Sequence, residues 1–269
     1  IYNILTMPNL TAYHFLPYSD FDTSGGYGPN QVSTTFGLGI AGLIISQVLK
    51  LNLTGSKIID ILVLITFFAL GLITFSRGGI FATVIAFSCA ISSYIFHDQK
   101  KMKIISKGFG ILTVSIIVWM VMVSLTDGVI TQRYGLDRNE YGDRFILDLT
   151  GRAEIYKIDL EIFIDHIFTG VGPGQAKELR EQYGYGQKVA AHTEYSRMLA
   201  EHGLLGLLSF LILIAVSSYQ LTKSCSPDTK FIKILFGLLA LLTMSHSAMR
   251  LAMPSFIYGF LFSKYTEEI

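Results

Sequence analysis

The chain alternates long apolar runs with short polar connections, and the runs are long enough to cross a membrane. A bilayer-crossing helix needs about 20 mostly apolar residues. Six runs fit: Gln31–Leu49, Ile58–Phe75, Gly79–Phe96, Ile104–Leu125, Leu204–Leu221 and Phe231–Met249. A shorter run, Ser255–Phe262, follows Pro254, which either separates two helices or kinks one. The expected fold class is all-α: a polytopic transmembrane helical bundle of six or seven spans with one large outer helical loop. Three regions follow. Residues 1–125 hold the N-terminal transmembrane helices behind an outer leading segment, 126–203 form the large extracytoplasmic loop, and 204–269 hold the C-terminal transmembrane helices.

Lysines orient this pattern. They collect in alternate connections: Lys50 and Lys57, then Lys100, Lys101, Lys103 and Lys107, then Lys223, Lys230 and Lys233, and finally Lys264. Basic residues mark the cytoplasmic side of a membrane protein. The other connections then face outward: residues 1–30, the turn Ser76–Arg77–Gly78, the stretch Thr126–Gly203, and the turn near Arg250–Pro254.

The stretch Thr126–Gly203 is far longer than a connection needs. Structureless loops beyond about 15 residues are uncommon, and such segments are usually functional. Ala153–Ile164 reads as an amphipathic helix with Ile155, Ile158 and Ile162 on one face. Gln175–Tyr183 reads as a short polar helix, and Thr193–Glu201 as a helix leading into the next span. Gly170–Val171–Gly172–Pro173–Gly174 is a rigid turn rather than a nucleotide cradle.

Composition agrees with a membrane protein. Of 269 residues, 51% are apolar and only 15% charged, against about 25% charged in soluble domains. A net charge of +1 gives no reason to expect a nucleic-acid partner. Cys89 and Cys225 suggest neither a disulfide nor a metal site. The chain opens at Ile1, and further helices are expected ahead of it in the full protein. No dinucleotide fingerprint, P-loop or metal-ligand spacing is present, so no cofactor is expected.

The outer face carries the candidate chemistry. Arg77 lies in a Ser-Arg-Gly-Gly turn at the interface, where a charge at membrane depth costs about 2.5–3.5 kcal/mol and calls for an anionic partner. The plainer reading is an arginine that snorkels to lipid headgroups. Gly78 and Gly79 allow another backbone or a ligand to approach closely. Arg152 opens the amphipathic helix, either as a solvated surface residue or as a planar fork matching phosphate oxygens. His192, before Thr193–Glu194–Tyr195, has a side chain suited to proton transfer near neutral pH, although a lone histidine is often structural. His246 and Arg250 lie four apart near the outer end of a span and share a face. Asn30 starts the first span, either as a helix cap or beside free N–H groups open to an anion. His14, His97, His166 and His202 read as structural.

Taken in order, these segments resemble the O-antigen ligase and polymerase superfamily. The resemblance rests on Thr74–Phe75–Ser76–Arg77–Gly78–Gly79, Gly151–Arg152, and Asp165–His166 with the turn at 170–174. It continues through His192–Thr193–Glu194–Tyr195 and Ala200–Glu201–His202–Gly203–Leu204–Leu205–Gly206. Gly28–Pro29–Asn30–Gln31–Val32–Ser33 is similar to polymerase-type members. The likeness spans nearly the whole chain. Ile167 stands where the family often has Pro, and Thr193–Glu194 replaces the commoner Asn or Ser after the histidine. Both departures weigh against the ligase branch.

The resemblance implies a multi-pass enzyme of the bacterial inner membrane, active on the outer face. Such an enzyme moves a glycan from a polyprenyl pyrophosphate carrier to an acceptor hydroxyl on a glycan or lipid core, building surface polysaccharide such as lipopolysaccharide or exopolysaccharide. The resemblance casts Arg77 and Arg152 as pyrophosphate ligands, His192 as the group that orients or deprotonates the acceptor, and Arg250 and Asn30 as further substrate contacts. It implies no metal and inversion at the anomeric carbon. A second class stays open at this point: a transporter or structural subunit that binds an anionic ligand on the outer face. No internal repeat of the kind common in transporters is visible.

Overall fold

The computed structural model describes residues 6, 8–9, 13–49, 51, 53–97, 101–134, 150–186, 191–246 and 252–264. Among the described residues all regular structure is helical. The elements are α1 (Pro29–Val48), α2 (Lys57–Ile73), α3 (Arg77–His97), α4 (Lys101–Leu125), α5 (Val129–Arg133), α6 (Thr150–Asp165), α7 (Ala176–Leu179), α8 (Glu194–Thr222), α9 (Pro227–Thr243) and α10 (Met253–Tyr258). Short 3₁₀ turns span Asp22–Ser24, Met244–His246 and Gly259–Phe262. The predicted apolar runs fall on these helices; most ends shift by a few residues, while the helix of the Leu204–Leu221 run begins ten residues earlier, at Glu194. Among the described residues four segments are long and apolar enough to cross a membrane: Asp22–Val48, Arg77–Ile95, Glu194–Thr222 and Pro227–His246. The 17-residue α2 is apolar but shorter, and Pro254 lies in the first turn of α10, where proline is well tolerated.

Helix α3 is the hub, packed between α1 and α9. Its buried face carries Gly79, Ala82, Ala86 and Ala90, a stripe of small residues that lets neighbouring helices come close. The approach is tightest at Gly79. A Cβ there would sit 2.4 Å from the Ser33 carbonyl carbon of α1, and one on Gly37 would sit 2.4 Å from Thr83 Oγ1. On the other side Phe231, Leu235 and Leu239 of α9 are buried against the same core. Phe231 meets the rings of Phe87 and Tyr94 edge to face. A second core joins α2, α4 and α5 through Leu72, Phe75, Val118, Met122 and Ile130.

The helix α8 leaves Leu204, Leu205, Leu208, Leu211 and Ile212 exposed. A continuous apolar face of this kind suits lipid, where the backbone is satisfied within the helix and apolar side chains meet hydrocarbon.

The helices of the long loop have their own small core. Ile155, Ile158 and Ile162 of α6 are all buried, as the pattern predicts, and Ile158 and Ile162 pack with Ala176 and Ala200. The turn at 170–174 docks on α8 through backbone bonds from Val171 N–H to Ala200 and from Gly172 N–H to Glu201, each 3.0 Å. Gly203 accommodates this docking. It breaks the helical course of α8 with φ 58° and ψ −135°, and a Cβ on it would lie 2.5 Å from the Ile167 carbonyl oxygen.

Candidate functional site

Two distant stretches interlock beneath Arg77. The Ser76 hydroxyl donates to Asn30 Oδ1 at 2.8 Å, and the Ser33 hydroxyl donates to the Ser76 carbonyl at 2.9 Å. The helix cap of α1 is therefore not Asn30, because Gly28 holds the cap position with Pro29 and Asn30 in the first turn. Asn30 instead fixes the turn that carries Arg77.

That turn is tight. Phe75 has φ 52°, in the left-handed region that side chains rarely adopt. Thr74 Oγ1 accepts the Ser76 N–H at 3.2 Å. Arg133, at the end of α5, donates from Nε to the Phe75 carbonyl at 2.8 Å, while Arg77 donates from its guanidinium to the Arg133 carbonyl at 3.0 Å. The two arginines thus clasp each other's backbone neighbourhood. Tyr134 closes the clasp, with its ring edge to face against Phe81 and Trp119. Burial pushes its phenol well above the ordinary value, against the opposing pull of Arg133 and Arg77, so it remains a neutral group. Arg133 belongs to no motif, and nothing in the sequence marks it as a neighbour of Arg77.

Arg77 is only 8% exposed, yet it lines a cleft of about 170 Å³ together with Arg152. Gly78, Phe81, Ala82 and Ile85 of α3 supply one wall, and Leu242, Ser245 and His246 another. The cleft therefore joins a cationic pair to an apolar surface. His246 is buried and packs on Gly78, where a Cβ would come within 2.5 Å of the imidazole Cγ. Both glycines of the Ser-Arg-Gly-Gly turn thus permit close approach, Gly79 to the backbone of α1 and Gly78 to an imidazole ring. Arg152 is near enough to His246 for the two to interact electrostatically.

His192 is half-buried and is not among the residues lining the cleft. It lies two residues before α8, and the first turn of that helix leans on the cleft wall. Tyr195 donates to the Leu241 carbonyl at 2.5 Å, next to Leu242, and α8 packs against the Met244–His246 turn. Thr193 caps α8 by accepting the Ser196 N–H at 3.2 Å. Serine and asparagine are equally good caps, so this departure from the usual residue after the histidine preserves the local physics. Arg250 lies outside the described residues.

A buried polar cluster fixes the helices that carry Arg152 and His192. Asp159 of α6 and Arg180, just after α7, are both 0% exposed and pair at 3.0 and 2.6 Å. The second carboxylate oxygen of Asp159 accepts the Ser196 hydroxyl of α8 at 2.7 Å. Nearby, Arg197 joins Glu194 at 2.5 Å and Glu201 at 3.1 Å. Arg180 escapes a sequence reading, because a charged residue in a polar segment looks solvated until its partner is known.

Comparison with curated proteins and with solved structures finds no match. The family model described as O-antigen ligase matches residues 61–211, more than half of the chain. The match runs from α2 through the Arg77 turn, Arg152 and His192 into α8, the segment that supplies both cleft arginines. A helical membrane protein with apolar spans and this match handles glycans in the manner of O-antigen ligases: the chain belongs to the O-antigen ligase family.

Proposed function

We propose that this protein transfers a glycan from a polyprenyl pyrophosphate carrier to an acceptor hydroxyl on the outer face of the bacterial inner membrane. The observation that carries this reading is the cleft in which Arg77 and Arg152 share an apolar wall. A lipid pyrophosphate has the matching chemistry: two phosphates for the arginines and hydrocarbon for the wall. The lysine-rich connections lie at the opposite ends of the spans from Arg77, which supports an outward-facing cleft.

The chemistry is a displacement. An acceptor oxygen attacks the anomeric carbon, the bond from that carbon to the pyrophosphate oxygen breaks, and the electron pair leaves with the carrier. Arg77 and Arg152 stabilise the charge that grows on the leaving group. The acceptor's proton passes to His192. A single displacement inverts the anomeric centre. The sugar–pyrophosphate bond itself supplies the driving force. Arg250 and Asn30 complete the substrate contacts in this reading, Asn30 through its hold on Ser76. Extension of a repeat-unit polymer is favoured over transfer to a lipid core by the Gly28–Ser33 stretch and the His-Thr-Glu-Tyr sequence.

Deletion of the whole gene in the native host tests this, with the carrier-linked glycans extracted and sized on a gel. Single repeat units stranded on the carrier are expected for a polymerase. Long polymer on the carrier would reassign the protein as a ligase. Normal surface glycan with no stranded intermediate would contradict glycan transfer and favour an anion-binding transporter.

A further inference from the structure

Helix α6 carries a second apolar stripe. Ile155, Ile158 and Ile162 are buried on the side that meets the loop core. Tyr156, Leu160 and Ile164 recur at every fourth position along a different side, and Phe168 continues the series in the turn that follows. Ile164 is 69% exposed and Phe168 76%. Glu154, Lys157 and Glu161 are exposed beside them, so the uncovered part of the helix is itself amphipathic. A contiguous apolar patch with a polar rim marks a contact with a membrane or a partner.

The stripe ends against α8. The Leu204 N–H donates to the Ile167 carbonyl at 2.7 Å, and a Cβ on Gly203 would lie 2.9 Å from the Phe168 carbonyl carbon. Ile167 and Phe168 therefore adjoin Leu204, Leu205 and Leu208, the exposed apolar residues that begin the lipid-facing side of α8.

The depth of that junction follows from helix geometry. Helix α8 ends at Thr222, and Lys223 marks the far interface. A hydrocarbon core about 30 Å thick takes about 20 residues at about 1.5 Å each. Counted back from Lys223, this reaches Gly203, and any tilt of the helix carries the boundary farther back. Leu204 thus enters hydrocarbon, and the backbone of Ile167 bonded to it lies at the same level.

We propose that Tyr156, Leu160, Ile164 and Phe168 are seated in the leaflet nearest Leu204, so that α6 lies along the membrane surface as an interfacial anchor. The occupant of the stripe is lipid because the patch runs unbroken into a helix face that lipid already covers. Lys157, at its edge, has a stem long enough to return its ammonium to the headgroups. Arg152 opens this same helix at the cleft, so the anchor fixes the depth of that guanidinium. The anchor does not depend on what the cleft binds.

The test uses full-length protein in lipid nanodiscs with Cys89→Ser and Cys225→Ser. Single cysteines replace Ile164, Phe168, the α8 residue Leu205 or the α7 residue Lys177, each carrying an environment-sensitive fluorophore. All four positions are exposed, so none of the substitutions opens a core. Lipid brominated on its acyl chains is expected to quench the labels at 164 and 168 as strongly as at 205, and several-fold more than at 177. Aqueous iodide should give the reverse order. Labels at 164 and 168 that iodide quenches and lipid leaves bright overturn the proposal. Labels there that neither quencher reaches overturn it too, since that is the result for a face covered by a second copy or by another helix.

Discussion

Ser76 donates its hydroxyl to Asn30 Oδ1 across 46 residues of sequence, and this bond sets the position of Arg77. Ser76 is buried, so loss of its acceptor leaves an unsatisfied hydroxyl. Asn30→Ala is expected to cost about 1–3 kcal/mol of stability and to lower glycan transfer. Asn30→Asp keeps the acceptor and should stay near wild type in thermal melts. Equal melting of Asn30→Ala and wild type would show that the bond does not hold the turn.

Gly79 and Gly42 make a matched pair for the packing of the hub. A Cβ on Gly79 runs into the Ser33 backbone, whereas one on Gly42 meets nothing within 4 Å. Gly79→Ala must push α1 and α3 apart, at about 1–3 kcal/mol. Gly42→Ala gains helix propensity of up to about 1 kcal/mol. Melting temperatures in detergent should move in opposite directions, and a tolerant Gly79→Ala would contradict the close crossing.

The Asp159–Arg180 pair holds α6 and α8 together in a site closed to solvent. Replacement of one member leaves a buried charge without its partner, a change that costs about 3–5 kcal/mol in such pairs. Arg180→Met is therefore expected to make the loop far more sensitive to limited proteolysis. Cleavage at the wild-type rate would mean that the loop does not depend on this pair.

Thr193 acts as a helix cap. Thr193→Ala should destabilise the protein by about 1 kcal/mol, and Thr193→Asn or Thr193→Ser should not. Circular dichroism melts of the three variants separate this role from a contact with substrate, which would penalise all three in activity.

The hydrophobic pattern located the apolar helices, because a period of 3.6 and a long apolar run are properties of contiguous sequence, while four segments among the described residues, against the six or seven spans expected, are long and apolar enough to cross a membrane. The amphipathic face of α6 was legible for the same reason. The site was legible in part. Arg77 and Arg152 each have a motif around them, and the cleft brings them together. Arg133, Arg180 and the contact of His246 with Thr34 depend on partners 21 to 212 residues away, and no local pattern encodes such pairings. Asn30 was placed at the right helix end, and of its two readings the helix cap is the one that does not hold. The cap position depends on whether the chain turns at Gly28 or at Asn30, and Pro29 favours Gly28 by starting the helix itself.

The central claim is that Arg77 and Arg152 grip one carrier pyrophosphate. Its most direct test is the affinity of full-length protein in nanodiscs for polyprenyl pyrophosphate, with Arg77→Gln, Arg152→Gln and the exposed control Lys177→Gln. A hydrogen bond to a charged group is worth enough to predict a loss of about ten- to a hundredfold for each arginine variant. The control should bind as wild type does. Unchanged binding in both arginine variants, or a loss confined to one of them, would contradict a shared pyrophosphate site.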